Sequence, residues 1–208
     1  MAGKKADSGA GGAVAEIPCA NCGAKAGMSQ IVRNVPHFGE VVILTLRCAK
    51  CGFKFVDVFS AGVKEPMRFT AKVNGTADLR TRIIRSSSST VRIPELGVEI
   101  EPAAMSEGYI SNIEGVLDRV EGAARILAKS AESGGMKNAE RALEKIRMAR
   151  EGKVKFTIIL EDPLGNGALV GKGVKRERLS AANAKRLNVP MQVFEIGKGG
   201  KKKAGKKG

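Results

Sequence analysis

The chain has 208 residues, 43% of them hydrophobic, with seven Phe, one Tyr and no Trp, which suits one ordinary domain or two small ones built on aliphatic cores. No stretch approaches the roughly 20 apolar residues that span a bilayer, and no apolar run near the start reads as a signal peptide, so a cytoplasmic protein without membrane contact is expected. Thirty-six Lys and Arg against 21 Asp and Glu give a net charge of +15; six of those lysines fall in residues 197–208, so the remainder carries only a mild basic bias that excludes little.

Residues 1–15 are rich in Gly, Ala, Ser and Lys, with nothing to bury, and read as a disordered lead. Residues 16–63 read as a zinc ribbon. The four cysteines of the chain form two turns of one pattern, Cys19-Ala20-Asn21-Cys22-Gly23 and Cys48-Ala49-Lys50-Cys51-Gly52. In such a turn two thiolates point at a common ion, and the glycine supplies the positive φ that lets backbone N–H groups face the sulfurs. Two disulfides or a redox Cys-x-x-Cys are the competing readings. Disulfides suit secreted chains, and a redox motif occurs once, at the start of a helix, rather than twice among strand-like residues. One structural Zn2+ on Cys19, Cys22, Cys48 and Cys51 is therefore expected, with no coordination position left for substrate or water.

Between the knuckles, residues 28–35 and 40–47 are rich in Val, Ile, Leu and Thr and flank the breaker Pro36-His37-Phe38-Gly39, which predicts a β-hairpin with its tip opposite the zinc. A third strand follows over residues 53–60, where Phe53, Phe55, Asp57 and Phe59 alternate with other residues to give one aromatic face. The tip residues Pro36, His37 and Phe38 are a candidate partner contact, against the plainer reading of a simple turn. His37 is the chain's one histidine, so no pair of groups for nucleophilic catalysis exists, and no catalytic residue is named.

Glu65-Pro66 marks the boundary to a β-rich domain over residues 64–196. Residues 67–73 alternate as a strand. The serine run at 86–90 is a backbone-bonding or flexible loop, with ligand binding as the alternative. Residues 91–101 form a strand that Pro94 turns into an edge, a bulge or two pieces. Ser111-Asn112-Ile113-Glu114 has the capping-box pattern and opens a helical hairpin over about 111–151, broken at Ser133-Gly134-Gly135. Residues 154–160 are a strand leading into the turn Glu161-Asp162-Pro163-Leu164-Gly165-Asn166-Gly167. Neither a phosphate loop nor a dinucleotide fingerprint is complete there, so the turn is structural, with Asp162 and Asn166 as candidate partner contacts. A short basic helix over 177–187 and a strand over 191–196 precede the tail. Its lysines, Lys198, Lys201, Lys202, Lys203, Lys206 and Lys207, serve solubility or attract RNA, ribosomes or acidic protein faces without sequence choice.

Taken together, the paired knuckles, Val35-Pro36-His37-Phe38, Gly39-Glu40-Val41-Val42, Ile93-Pro94-Glu95-Leu96, Glu114-Gly115-Val116-Leu117 and Asp162-Pro163-Leu164-Gly165-Asn166 resemble, in this order, the ZPR-type zinc-finger family. The resemblance covers about residues 17–167. It implies an α+β protein, mainly β, with a zinc ribbon ahead of a domain of double-stranded β-helix type that carries a helical hairpin. Eukaryotic members carry two such modules in tandem and are regarded as chaperones of translation elongation factor 1-alpha; this single module looks like the archaeal form. A non-enzymatic protein-binding role, with that factor as partner and no small-molecule substrate, is the expectation. RNA or ribosome binding through the basic tail is the alternative.

Overall fold

The computed structural model describes residues 13–187, except 37, 61–64, 104, 105, 131 and 132. The tail lysines and the strand expected over 191–196 therefore lie outside the described residues. Four antiparallel strands make the first sheet in the order β1-β2-β3-β4: β1 (Ala13–Pro18), β2 (Lys25–Val35), β3 (Gly39–Arg47) and β4 (Lys54–Ser60). The hairpin and third strand are as the sequence predicts. The lead is shorter than expected, because Ala13 to Ala15 already belong to β1, which adds to the free edge of β2 and leaves fewer unpaired backbone groups there.

The second module packs two sheets around one core. The larger has the order β12-β5-β10-β7-β8, from β5 (Met67–Val73), β7 (Thr90–Ile93), β8 (Val98–Ile100), β10 (Phe156–Asp162) and β12 (Lys175–Arg178). The smaller has the order β11-β6-β9, from β6 (Arg82–Arg85), β9 (Tyr109–Asn112) and β11 (Ala168–Val170). Along β5, Met67, Phe69, Ala71 and Val73 point into the core while Arg68, Thr70 and Lys72 face outward, the period of two of a half-buried strand. Phe156, Ile158 and Leu160 of the central β10 fill the same layer.

Pro94 resolves as a strand broken in two. It opens a 3-10 turn (Pro94–Leu96), Gly97 takes φ 67°, and β8 returns antiparallel to β7. Helices α1 (Ile113–Ser130) and α2 (Ser133–Arg150) form the expected hairpin and close the core with Ile113, Val116, Leu117, Ile146 and Ala149. The cap is Asn112 rather than Ser111: its Oδ1 accepts from the Gly115 N–H at 2.8 Å. The expected break at Ser133-Gly134-Gly135 falls instead in the first turn of α2. Glu177 and Arg178, expected in a helix, extend in β12 against β5; the helix there is the shorter α3 (Ala181–Arg186), capped by Ser180.

The three-stranded sheet joins the modules. Ile83 and Ile84 are neighbours on β6, so they point to opposite faces, yet both are 0% exposed. Ile83 enters the core of the second module, and Ile84 packs on Val41 and Val58 of the first sheet, with Phe38, Ile43 and Val56 around them. The first sheet thus buries one face at its metal end, through Met28, Leu46 and Phe55, and the other at its tip end. Phe55 of the expected aromatic face is buried near the metal, while Val58 from the opposite face of β4 is what meets Ile84. Ile84→Ala should cost about 3 kcal/mol and release the first sheet from the second module, seen as a separate early transition in urea unfolding followed by hydrogen exchange.

Candidate metal centre

Each knuckle folds as the sequence requires. Gly23 and Gly52 have φ of 70° and 73° and donate back to the Cys19 and Cys48 carbonyls at 2.9 and 3.0 Å. The Cys19 and Cys48 amides donate to Ala24 O and Phe53 O at 2.7 and 2.8 Å, which closes each loop. The four sulfurs lie within 4.8 Å of one another, and the cross-knuckle pairs Cys19–Cys51 and Cys22–Cys48 are 3.6 and 3.7 Å apart. A tetrahedral zinc with bonds near 2.3 Å places its sulfurs about 3.8 Å apart, so the donor set fits one Zn2+. A disulfide would need a far shorter separation.

The sulfurs also show why a cation belongs there. The Phe53 amide, then Asn21, lower the Cys51 thiol to about 6. Cys22 goes the other way, to about 12: its Ala24 backbone contact lowers it, but Cys51, desolvation and the other two sulfurs together raise it by more. Four thiolates repel one another at this spacing, and a divalent ion removes the conflict. Cys19 and Cys48 are buried with Ala26, and Cys22 and Cys51 lie at the surface, so the ion would tie the knuckles together with all four valences used by protein.

At the opposite end of the ribbon lies a second constellation, which sequence reasoning placed only in part. Asp162, a partner contact on the sequence reading, is instead 0% exposed, and its carboxylate accepts five hydrogen bonds. Ser86, Ser88 and Ser89 donate their hydroxyls at 2.5, 2.9 and 2.8 Å, and the Leu164 and Gly167 amides donate at 2.8 and 2.6 Å. A carboxylate so supplied has no capacity left for a partner. The serine loop is therefore ordered by backbone and carboxylate bonding.

Ser87, the one serine of that loop facing the other way, holds the ribbon. Its amide and hydroxyl donate to Asp57 of β4 at 2.9 and 2.6 Å. Burial pushes the Asp57 carboxyl up from its ordinary value, and the Ser87 hydroxyl and amide, then the Val58 amide, pull it partly back. Beside it the Gly108 amide donates to Val56 O at 3.0 Å, and any Cβ at Gly108 would overlap Asp57 Oδ1 and Val58 N. The sequence does carry a signal for Asp57: a lone carboxylate among Phe53, Phe55 and Phe59.

The remaining expected contacts are scattered. Pro36 is exposed and its carbonyl accepts from Arg82 Nη1 at 3.3 Å; His37 lies outside the described residues. Phe38, expected as an exposed aromatic, is half-buried against the Val41–Val58–Ile84 cluster. Asn166 is half-buried, with an Oδ1 that has no hydrogen-bond partner among the described residues.

Comparison with known proteins agrees with this architecture. Residues 14–66 match the ZPR1 zinc-finger domain and residues 77–185 the ZPR1 jelly-roll domain. A ZPR1-like protein of Methanocaldococcus jannaschii is 40% identical over 187 residues, covering 88% of this chain and 94% of the relative. A ZPR1-like protein of Pyrococcus horikoshii is 35% identical, covering 82% of this chain and 79% of the relative. The zinc finger chaperone zpr1 of Schizosaccharomyces pombe is 32% identical over 158 residues; these are 73% of this chain but 34% of that longer protein.

The two ends of the ribbon respond to different perturbations. Stripping zinc with a chelator should abolish amide protection in the four strands of the ribbon and leave β5 and β10 protected, as read by hydrogen exchange. Asp162→Ala should strand three buried hydroxyls and cost about 3 kcal/mol or more, measured by denaturant unfolding.

Proposed function

The chain belongs to the ZPR1 family, and on that premise we propose that it is a non-enzymatic protein-binding module that holds a translation elongation factor of the 1-alpha type while that factor folds. The observation that carries this reading is that one relative, named a zinc finger chaperone, aligns with this chain over 158 residues, more than either the ribbon match at 14–66 or the jelly-roll match at 77–185 contains by itself. The closed four-cysteine site fits a structural role for its metal. The half-buried Asp57 and the buried Glu161 and Asp162 are each engaged by hydrogen bonds or by Arg68 and Arg92, which supports a structural rather than a catalytic use of these carboxylates.

The surfaces that serve a partner are those the junction leaves exposed. On the Asp162 turn the exposed apolar residue is Leu164, at 47%, and on the ribbon it is Val32, at 48%, near Pro36. A partner's apolar groove would take such side chains as anchors, since a few buried apolar contacts carry most of an interface's energy. A second reading, RNA or ribosome binding, has one observation in its favour: Lys175, Arg176, Lys185 and Arg186 are all exposed on β12 and α3, the elements that lead toward the lysine tail. Such a strip recognises phosphates without reading bases.

The two readings separate in one experiment. The purified full-length chain, nuclease-treated, is titrated with the elongation factor of its source organism and with RNA, beside L164D and a form lacking residues 197–208. Under the chaperone reading the factor binds, L164D weakens it about tenfold with no change in melting temperature, and tail removal has no effect. Absence of factor binding, with salt-dependent RNA binding lost on tail removal, would replace it by the RNA reading.

A further inference from the structure

A buried guanidinium without a carboxylate stands beside the junction. Arg85, at the end of β6, is 4% exposed. Its Nη1 and Nη2 donate to the backbone carbonyls of Glu107 and Glu101 at 3.2 and 3.4 Å, which uses two of its three nitrogens. Its Nε is buried with no hydrogen-bond partner among the described residues. The Tyr109 hydroxyl is also buried and also without a partner among the described residues. A second arginine, Arg119 of α1, holds its guanidinium 4.1 Å from the centroid of the Tyr109 ring, on which Arg85 also sits at 5.9 Å. Arg119 is exposed and makes no ion pair among the described residues, whereas its helix neighbours Asp118 and Glu121 are both taken by Arg150.

Buried polar groups are nearly always bonded, and each exception calls for a ligand, a water or an ion. Here one orphan, Arg85 Nε, can only donate, the other, the Tyr109 hydroxyl, can donate to an anion, and Arg119 over the same aromatic ring adds a third donor group. Asp57 and Asp162 are close enough to act on Arg85 through space, yet neither bonds to it, because both are saturated by serine hydroxyls and backbone amides. Burial pushes the Arg85 guanidinium down and the Tyr109 phenol up from their ordinary values, the cost of donors that water no longer solvates.

We propose that Arg85 Nε, the Tyr109 hydroxyl and the Arg119 guanidinium form a binding site for a phosphate-type oxyanion, approached from the exposed Arg119 side of α1. The planar guanidinium is suited to such an oxygen, and charge-assisted bonds to buried donors are roughly twice as strong as neutral ones. Arg85 would bind deep and fixed, held by its two carbonyl bonds, while Arg119 closes over the ligand from solvent. An occupied site would also brace the junction, because Arg85 directly precedes the serine loop that holds Asp57. This site shares no residue with the metal centre, the Leu164 turn or the basic strip on β12, and it does not depend on the proposed partner.

The test is calorimetric titration of the zinc-loaded full-length chain with inorganic phosphate at constant ionic strength. Saturable binding at one site is expected. Arg119→Gln should weaken it about tenfold. Tyr109→Phe keeps the ring and removes a hydroxyl that bonds to nothing in the fold, so phosphate affinity should fall several-fold while the melting temperature holds or rises. Lys72→Gln, which removes an exposed charge on β5, should leave affinity unchanged. A nucleoside monophosphate titrated in parallel separates the two sources of the group: tighter binding than phosphate assigns the phosphoryl group of a nucleotide, weaker binding the free ion. Non-saturable heats in the unaltered chain, or equal losses in Arg119→Gln and Lys72→Gln, would overturn the proposal, since either would mean diffuse attraction to a basic surface.

Discussion

The structure depends on one loop, Ser86 to Ser89, being satisfied from two sides at once. Three of its hydroxyls point inward to the fully buried Asp162 carboxylate and the fourth points outward to Asp57 of the ribbon. Burying one carboxylate is costly unless donors replace its water, and five donors do so at Asp162. Once Asp162 has ordered the loop, Ser87 has a single position, and the ribbon's edge strand must meet it. The apolar contact of Ile84 with Val41 and Val58 adds area to this junction but no direction. The hydrogen bonds supply the direction, because they need their angles.

This division of labour bears on what each module can do. The metal secures a sheet whose interior near the knuckles is Cys19, Ala26 and Cys48 with Ala24 and Phe53 against them, and Met28, Leu46 and Phe55 beyond. So small a core needs a staple. At the other end the ribbon relies on the jelly roll for its second buried face. The ribbon is therefore held at both ends by different physics, coordination at one and a hydrogen-bonded carboxylate at the other. Phe38, next to its tip, packs into the junction. The contacts proposed for a partner are other residues, the exposed Val32 and Leu164.

On the outer face of the large sheet, Glu161 shows the same economy. It neighbours Asp162 on β10 but points the opposite way, where Arg68 and Arg92 hold it and Glu99 balances Arg92. Two adjacent carboxylates thus serve two separate networks, one ionic and one of hydroxyls. Arg85 is a buried charge that neither network absorbs.

Spacing alone determined the metal site, because a Cys-x-x-Cys-Gly turn is a local structure whose geometry depends on five consecutive residues and one glycine conformation. Strong local periodicity likewise marked the ribbon hairpin, β5, the helical hairpin and the core of β10. What the sequence did not reveal was the sheet β11-β6-β9, whose strands are three or four residues long and carry no alternation, since Ile83 and Ile84 are buried on opposite faces by different modules. Nor did it tell which members of the Asp162 turn face solvent, or that Ser86 to Ser89 are bonded rather than mobile. Those facts rest on residues 73 to 76 positions apart that meet only after folding. A hydroxyl or carboxylate reads the same in sequence whether water or a distant partner satisfies it, and the tertiary structure alone makes that choice.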